Sequence, residues 1–330
     1  MYFDYKIYGF VLEMNIPNDD VLSACFDKFV GLMVQTDSNE KDGVFIFWKM
    51  RVKEIQDMYV EKECEYISDS YVDITGEYSS FGKKKDCDTF FFYYKGYYYI
   101  EFCFDKDEVK ILYSDMFYKI SELLMEFMKQ YCCYKAVENA RYPIHSSCIL
   151  DKRTNEVTLL MGDSGNGKSS LAVLASLSGK YDLLSDEINY INSDKTVLSC
   201  LDGIKLCVEM TDQLEAYNIN VNANVVNGES IVRWKATRER CEDISVGHRL
   251  KSIYVLRREN SVCRINVCLL HGIKKLEVLY KNFLLANCID KRHKIRVIKM
   301  IHYLSDQMDV TEILYPTNMI KDVIKYIGMD

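Results

Sequence analysis

No Cys-x-x-Cys pair occurs among the 13 cysteines, although Cys132 and Cys133 are adjacent. That spacing suits neither a zinc knuckle nor a dithiol redox motif. The odd, scattered set reads as reduced thiols used as small core residues. Also missing are a basic leader followed by an apolar run and any stretch near the roughly 18 apolar residues of a membrane helix. The expectation is a cytoplasmic protein with no membrane partner. There is no basic excess either: 42 Lys and Arg against 49 Asp and Glu leave a net charge of −7, which argues against a non-specific nucleic-acid binder. Lys83-Lys84-Lys85 reads as a solvated loop. Internal repeats and low-complexity segments are absent. Proline is scarce (3) and tyrosine abundant (25), the kind of bias a genome's base composition produces, and no function is drawn from it. What is present is a 48% hydrophobic chain of 330 residues, enough for one large or two ordinary domains.

Residues 1 to about 113 read as β-rich. "YKIYGFVLEM", "GVFIFWKMRV", "TFFFYYKGYYYIEFCF" and "VKILYS" are dense in aromatic and β-branched residues and are separated by turn-forming clusters, with Lys95-Gly96 as a hairpin turn. The Phe/Tyr run 90 to 99 is read as a packed sheet face rather than an aromatic ligand platform. From about Ser114 the period turns helical, placing Ile120, Leu123, Leu124, Phe127 and Met128 on one stripe. The helix is expected to end before Arg141-Tyr142-Pro143, which divides the chain into a β-rich domain ending in a helix (1–140) and a second domain (141–330).

In the second domain the expected order is strand "SSCILD", turn, strand "VTLLMG", glycine loop, helix "KSSLAVLASLSG" and strand "YDLLSD". Short strands follow, with a turn at Asp202-Gly203. Residues 220 to 250 read as loop with some strand, "RLKSIYVLRR" and "CRINVCLL" as two core strands, and the tail from Lys274 as mostly helical. The fold class expected is α/β (α+β).

Gly162-Asp163-Ser164-Gly165-Asn166-Gly167-Lys168-Ser169 fits Gly-x-x-x-x-Gly-Lys-Ser/Thr at every specified position. An apolar strand runs into it and a helix of small and apolar residues runs out, the context that separates a phosphate loop from a chance match. Glycines let successive N–H groups converge on phosphate oxygens at the positive end of the helix, where Ser170 also lies. Lys168 then neutralises the outer phosphates and the Ser169 hydroxyl suits Mg2+. The bland alternative, a glycine-rich helix entry that binds nothing, gives the Lys-Ser pair no purpose. Asp186-Glu187 ends the next predicted strand, 186 − 168 = 18 residues beyond Lys168. The loop and the acids are expected to come from adjacent strands, which puts the carboxylates beside the terminal phosphate, one holding metal and the other accepting a proton. A solvated strand end is the alternative for this pair.

Residues 144 to 191, "IHSSCILDKRTNEVTLLMGDSGNGKSSLAVLASLSGKYDLLSDEINYI", resemble the catalytic core of HPr kinase/phosphorylase and its kinase-like relatives, which share a fold with phosphoenolpyruvate carboxykinase. The resemblance implies a P-loop kinase core of that type with a mixed sheet and a C-terminal helical tail, using ATP and Mg2+. It makes His145 a neighbour of the terminal phosphate opening a strand, Lys168 and Ser169 the phosphate and magnesium contacts, Asp186 the general base and Glu187 the companion metal-side carboxylate. Two positions depart from the family: Glu187 stands where Asp is usual, and Ser170 where Glu is common in the bifunctional enzyme. The recognition segment that follows the acids in that enzyme has no counterpart here. The chain therefore reads as a divergent relative.

Relatives phosphorylate a protein or peptide serine, free serine, or a polyol such as an inositol. The expectation is a phosphotransferase acting on a small-molecule hydroxyl such as free serine or myo-inositol. A protein or peptide serine is the first alternative and a non-catalytic nucleotide-binding sensor the second. Arg233, Lys235, Arg238 and Arg240 are candidates for closing over phosphate or an acidic substrate, or else a basic surface loop. Family members also form oligomers, which leaves a homo-oligomer open here.

Overall fold

Alternating and continuous apolar runs dominate both halves of the chain, and in the computed structural model they assemble into two large mixed sheets. The residues described are 2–7, 10–17, 19–20, 22, 34–35, 41–59, 64–72, 78–84, 89–94, 97–115, 122–199, 204–206, 223–226, 229–232, 247–284 and 291–327. They divide into two units, Met1–Cys132 and Cys133–Asp330.

The first unit contains β1 (Tyr2–Ile7), β2 (Phe10–Asn15), β3 (Val34–Gln35), β4 (Gly43–Lys49), α1 (Val52–Tyr59), β5 (Cys64–Val72), β6 (Tyr78–Lys84), β7 (Thr89–Tyr94), β8 (Tyr98–Cys103) and β9 (Glu108–Tyr113). They form one sheet in the order β3-β1-β2-β4-β9-β8-β7-β6-β5, with β4 parallel to both β2 and β9. In β4, Phe45 and Phe47 are buried while Val44 and Ile46 are half-buried, the period-2 pattern of a strand with one face on a core. The aromatic run is a packed sheet. Phe91 and Tyr99 stack on one face in a cluster with Ile55 of α1, and Phe92 packs against Phe102 and Phe127. Phe127 belongs to α2 (Glu122–Glu138), where the predicted stripe places Leu124, Phe127 and Met128 in the core.

Several expectations change here. "YKIYGFVLEM" contributes to the antiparallel pair β1 and β2. Within "WKMRV" the strand ends at Lys49 and Val52 already belongs to α1, where Glu54 accepts from the Arg51 backbone N–H at the helix start. Lys83 and Lys84 lie in β6 rather than in a loop. Lys95-Gly96, Lys85, Ile120, Asp202-Gly203 and the side chain of Leu123 lie outside the described residues.

The second unit contains β10 (Arg141–His145), β11 (Ser147–Asp151), β12 (Glu156–Met161), α3 (Lys168–Leu177), β13 (Tyr181–Ser185), β14 (Ile188–Asn192), β15 (Thr196–Ser199), β16 (Ile204–Leu206), β17 (Ala223–Val226), β18 (Glu229–Val232), β19 (His248–Arg258), β20 (Asn266–Leu269), α4 (Gly272–Asn282), α5 (Lys291–Gln307), β21 (Val310–Tyr315) and α6 (Ile320–Val323). Its main sheet runs β10-β14-β15-β19-β12-β11-β13, with β21 joined to β19 and β20 to β21. β12 and β21 are both parallel to β19. Strands β16, β18 and β17 form a small separate sheet.

The apolar residues of α3, Leu171 to Ala175, pack on Ile149, Leu160, Leu183, Leu256, Ile313 and Tyr315. Each fully buried aliphatic side chain of this kind contributes about 1.5–3 kcal/mol, which anchors α3 to five strands of the sheet. Arg141-Tyr142-Pro143 lies in β10, and His145 closes that strand instead of opening one. β20 is an edge strand with all four residues exposed, not a core strand. The helical tail is interrupted by β21, which occupies the sheet interior. No helix among the described residues is long and apolar enough to cross a membrane.

Candidate functional site

The glycine loop leaves β12 at Met161 and enters α3 at Lys168. Gly162, Gly165 and Gly167 all have positive φ, at +134°, +81° and +80°, conformations that L side chains rarely adopt. Gly162 is required twice over, because a Cβ there would stand 2.4 Å from the Leu256 carbonyl oxygen of β19. At Gly167 a Cβ would stand 2.6 Å from the Tyr315 hydroxyl. The tip from Asp163 to Gly165 is exposed, and no atom lies within 4 Å of the position a Gly165 Cβ would take.

Three side chains from distant elements hold this loop. Asn282, at the end of α4, accepts from the Gly162 N–H at 3.3 Å while its own amide donates to the Val278 carbonyl. The Tyr315 hydroxyl at the end of β21 donates to the Asn166 carbonyl at 2.7 Å, and burial pushes its pKa up. Arg258, at the end of β19, donates from its guanidinium to the Gly165 carbonyl and from its backbone N–H to Asn166 Oδ1. The loop is thereby clamped at its first glycine and at its tip.

Lys168 is 7% exposed. Its ammonium donates to the carbonyls of Gly162 at 2.7 Å and Asp163 at 3.4 Å. Burial lowers its pKa, and the carboxylates of Asp186, Asp163 and Glu187 oppose that shift. The structure therefore brings Lys168 and the acidic pair into one electrostatic site.

The acids do not come from the strand next to the loop. β11 pairs with β12 on one side and β13 on the other, so an antiparallel strand separates Met161 from Asp186. Its first residue, Ser147, occupies the gap: the hydroxyl donates to Asp186 Oδ1 at 2.7 Å, with both residues buried. Beneath the acidic turn lies a fully buried amide, Asn189. It donates to the carbonyl and hydroxyl oxygens of Ser146 at 2.7 and 3.0 Å, and accepts from Ser185 at 2.5 Å and Ser199 at 2.6 Å. With both hydrogens and the carbonyl engaged, the amide carries no unmet desolvation cost. Ser185 and Asn189 bracket Asp186-Glu187 in the chain and fix that turn. The end of β10 closes the group: His145 is in register with Ile188, and the Ser146 N–H donates to the Glu187 carbonyl at 3.3 Å. His145 is thus one strand position from the acidic pair.

The loop, Lys168, Ser169, Ser170, His145, Asp186 and Glu187 all lie within this unit. Arg233, Lys235, Arg238 and Arg240 lie outside the described residues. Ser147, Asn282, Arg258 and Tyr315 belong to the site, yet no motif names them. The one sequence signal was a pair of serines, Ser146-Ser147, where a strand otherwise turns apolar.

The residues present suit a phosphate ligand and a hard cation. The glycine conformations, the open space over Gly165 and the N-terminus of α3 are features that could hold an anion. Among the described residues no three His, Cys, Asp or Glu side chains gather into an all-protein metal cage. Ser169 with Asp186 and Glu187 is instead the oxygen donor set that suits Mg2+ when phosphates complete its shell.

No family model matches the chain, and no curated protein matches it. A solved HPr(Ser) kinase/phosphatase from Coxiella burnetii is a loose structural neighbour, with 11% identity over 56% of this chain and 93% of that one and a TM-score of 0.28.

Proposed function

We propose that the chain is an ATP- and Mg2+-dependent kinase that phosphorylates an alcohol hydroxyl, with a small molecule such as free serine or a polyol as the acceptor. The observation that carries this reading is the juxtaposition of Lys168 and Asp186: both are buried, and the Asp186 carboxylate acts on the Lys168 ammonium beside a loop whose three glycines all have positive φ. Buried groups whose ionisation is perturbed by one another mark a candidate for function.

In this reading the loop N–H groups and the start of α3 bind the phosphate chain, and Lys168 releases the Gly162 and Asp163 carbonyls to engage the outer phosphates. Asp186 takes the proton of the acceptor hydroxyl. The acceptor oxygen then bonds to the terminal phosphorus as the bond to the ADP leaving group breaks. Lys168 offsets the charge that develops, and His145, in register with Ile188 beside the acidic pair, would lie near the terminal phosphate. Ser169, Asp186 and Glu187 would hold Mg2+, which supplies further charge neutralisation at the terminal phosphates. Arg233, Lys235 and Arg238 are assigned to substrate closure by their charge alone.

ATP consumption is measured with Mg2+ against free serine and threonine, myo-inositol and other polyols, sugars, and a serine-bearing carrier protein and peptide, with Lys168→Ala and Asp186→Asn beside the wild type. Turnover with one small alcohol, abolished in both variants, supports the reading. Turnover only with the protein or peptide moves the acceptor to that class. ATP binding without turnover on any acceptor overturns the kinase assignment in favour of a nucleotide sensor.

A further inference from the structure

The strand order places a hydroxyl between the glycine loop and the acidic pair. Ser147 is in register with Leu160 on β12, and the next residue, Cys148, is in register with Ser185 on β13. The register between β11 and β13 shifts between Cys148 and Ile149, so the chain is irregular where it passes the acidic turn. From that position the Ser147 hydroxyl reaches Asp186 Oδ1 at 2.7 Å, and neither residue is more than 7% exposed.

A buried carboxylate on a single-bonded side chain has two soft torsions, and a hydroxyl donated to one oxygen removes most of that freedom. The other groups facing Asp186 do different work. Lys168 supplies charge from α3, and the carboxylates of Asp186, Asp163 and Glu187 act on it together. Asn189 and Ser185 fix the backbone of the turn. Ser147 donates directly to the Asp186 carboxylate from a neighbouring strand.

We infer that Ser147 is a positioning residue: its hydroxyl locks the Asp186 carboxylate in the orientation that serves the divalent cation and the acceptor hydroxyl at the glycine loop. The inference rests on the nucleotide-binding reading above. It extends that reading to a residue on a strand outside the loop and the acidic pair. Groups that orient a metal-side ligand without touching the metal are worth about 10–100-fold in metal affinity.

The test is Mn2+ binding, followed by electron paramagnetic resonance of free Mn2+ in the presence of saturating ADP, for wild type, Ser147→Ala, Ser147→Thr and Ser252→Ala. Ser252 is a buried hydroxyl in the same sheet, 3.0 Å from the Thr158 hydroxyl, and serves as the control for loss of a buried hydrogen bond. The expected result is a 10–100-fold weaker Mn2+ affinity in Ser147→Ala, recovery to within about threefold in Ser147→Thr, and wild-type affinity in Ser252→Ala. ADP affinity without metal should not change in any of them. Ser147→Ala binding Mn2+ as the wild type does, or weakening no more than Ser252→Ala, overturns the inference and leaves the nucleotide-binding reading standing. A wild type that binds neither ADP nor Mn2+ overturns both.

Discussion

Alanine at Gly162 and at Gly165 separates two costs that a glycine-rich loop combines. Both glycines have positive φ, but their surroundings differ. A Cβ at residue 165 meets no atom within 4 Å. Gly165→Ala therefore bears only the backbone term, about 1–2 kcal/mol for an L residue in this region, less about 0.4–1 kcal/mol recovered from a narrower unfolded ensemble. The net is about 1 kcal/mol. At residue 162 the φ of +134° lies beyond the left-handed helical basin, at about 1–3 kcal/mol. The Cβ would also sit 2.4 Å from the Leu256 carbonyl oxygen. That atom belongs to β19, the parallel partner of β12, so relief means moving a central strand, at about 1–3 kcal/mol of overpacking. Gly162→Ala then costs about 2–5 kcal/mol after the same recovery. For a unit the size of Cys133–Asp330, each kcal/mol lowers Tm by about 2–4 °C. Calorimetry of the apoprotein, following the transition of that unit, should show a drop of about 2–4 °C for Gly165→Ala and at least twice that for Gly162→Ala. Equal shifts, or a larger one at 165, would refute the assignment of the Gly162 cost to the β19 backbone.

Asn282→Ala removes the acceptor of a buried N–H and should lower stability by about 1–3 kcal/mol in urea unfolding; a change below about 0.5 kcal/mol would show that water replaces it. Tyr315→Phe deletes only the hydroxyl that donates to the Asn166 carbonyl, with an expected loss of about 0.5–1.5 kcal/mol and faster amide exchange confined to residues 163–167. Burial pushes the Cys148 thiol from its ordinary 9.0 up to about 12, against a smaller opposing hydrogen bond with Ser199. The folded chain keeps that proton where the unfolded chain has lost it, so this contribution falls as pH rises from about 9 to 12, by at most about 4 kcal/mol, and the wild type minus Cys148→Ala stability difference should decline over that window. At pH 8 a maleimide should label the exposed Cys263 and Cys268 and spare Cys148, read by peptide mass mapping.

What could be read from the sequence was what lies close together along the chain. The loop from Gly162 to Ser169, the strand before it and the helix after it are contiguous, and the structure builds them as one turn of backbone. The aromatic hairpin of β7 and β8 was legible for the same reason. Strand order is not written locally. Nothing in "SSCILD" says that it will lie between "VTLLMG" and "YDLLSD", and the expectation that loop and acids leave adjacent strands failed at that point. β21 was hidden because "VTEILY" is short and follows a helix of 17 residues, where the helical period masks a six-residue strand.

The same misreading has a physical consequence for the site. With β11 interposed, a third strand supplies a hydroxyl to the carboxylate. The irregular register of β11 with β13 falls where that strand passes the acidic turn, as expected where a strand end must aim a side chain across its neighbour. The clamps on the loop follow the same logic: Arg258 and Tyr315 stand at the ends of β19 and β21, the two strands that continue the sheet beyond β12. Groups that generate chemistry can sit on one contiguous motif, whereas groups that hold them still must come from strands the sheet brings alongside. Those are the residues a linear reading misses.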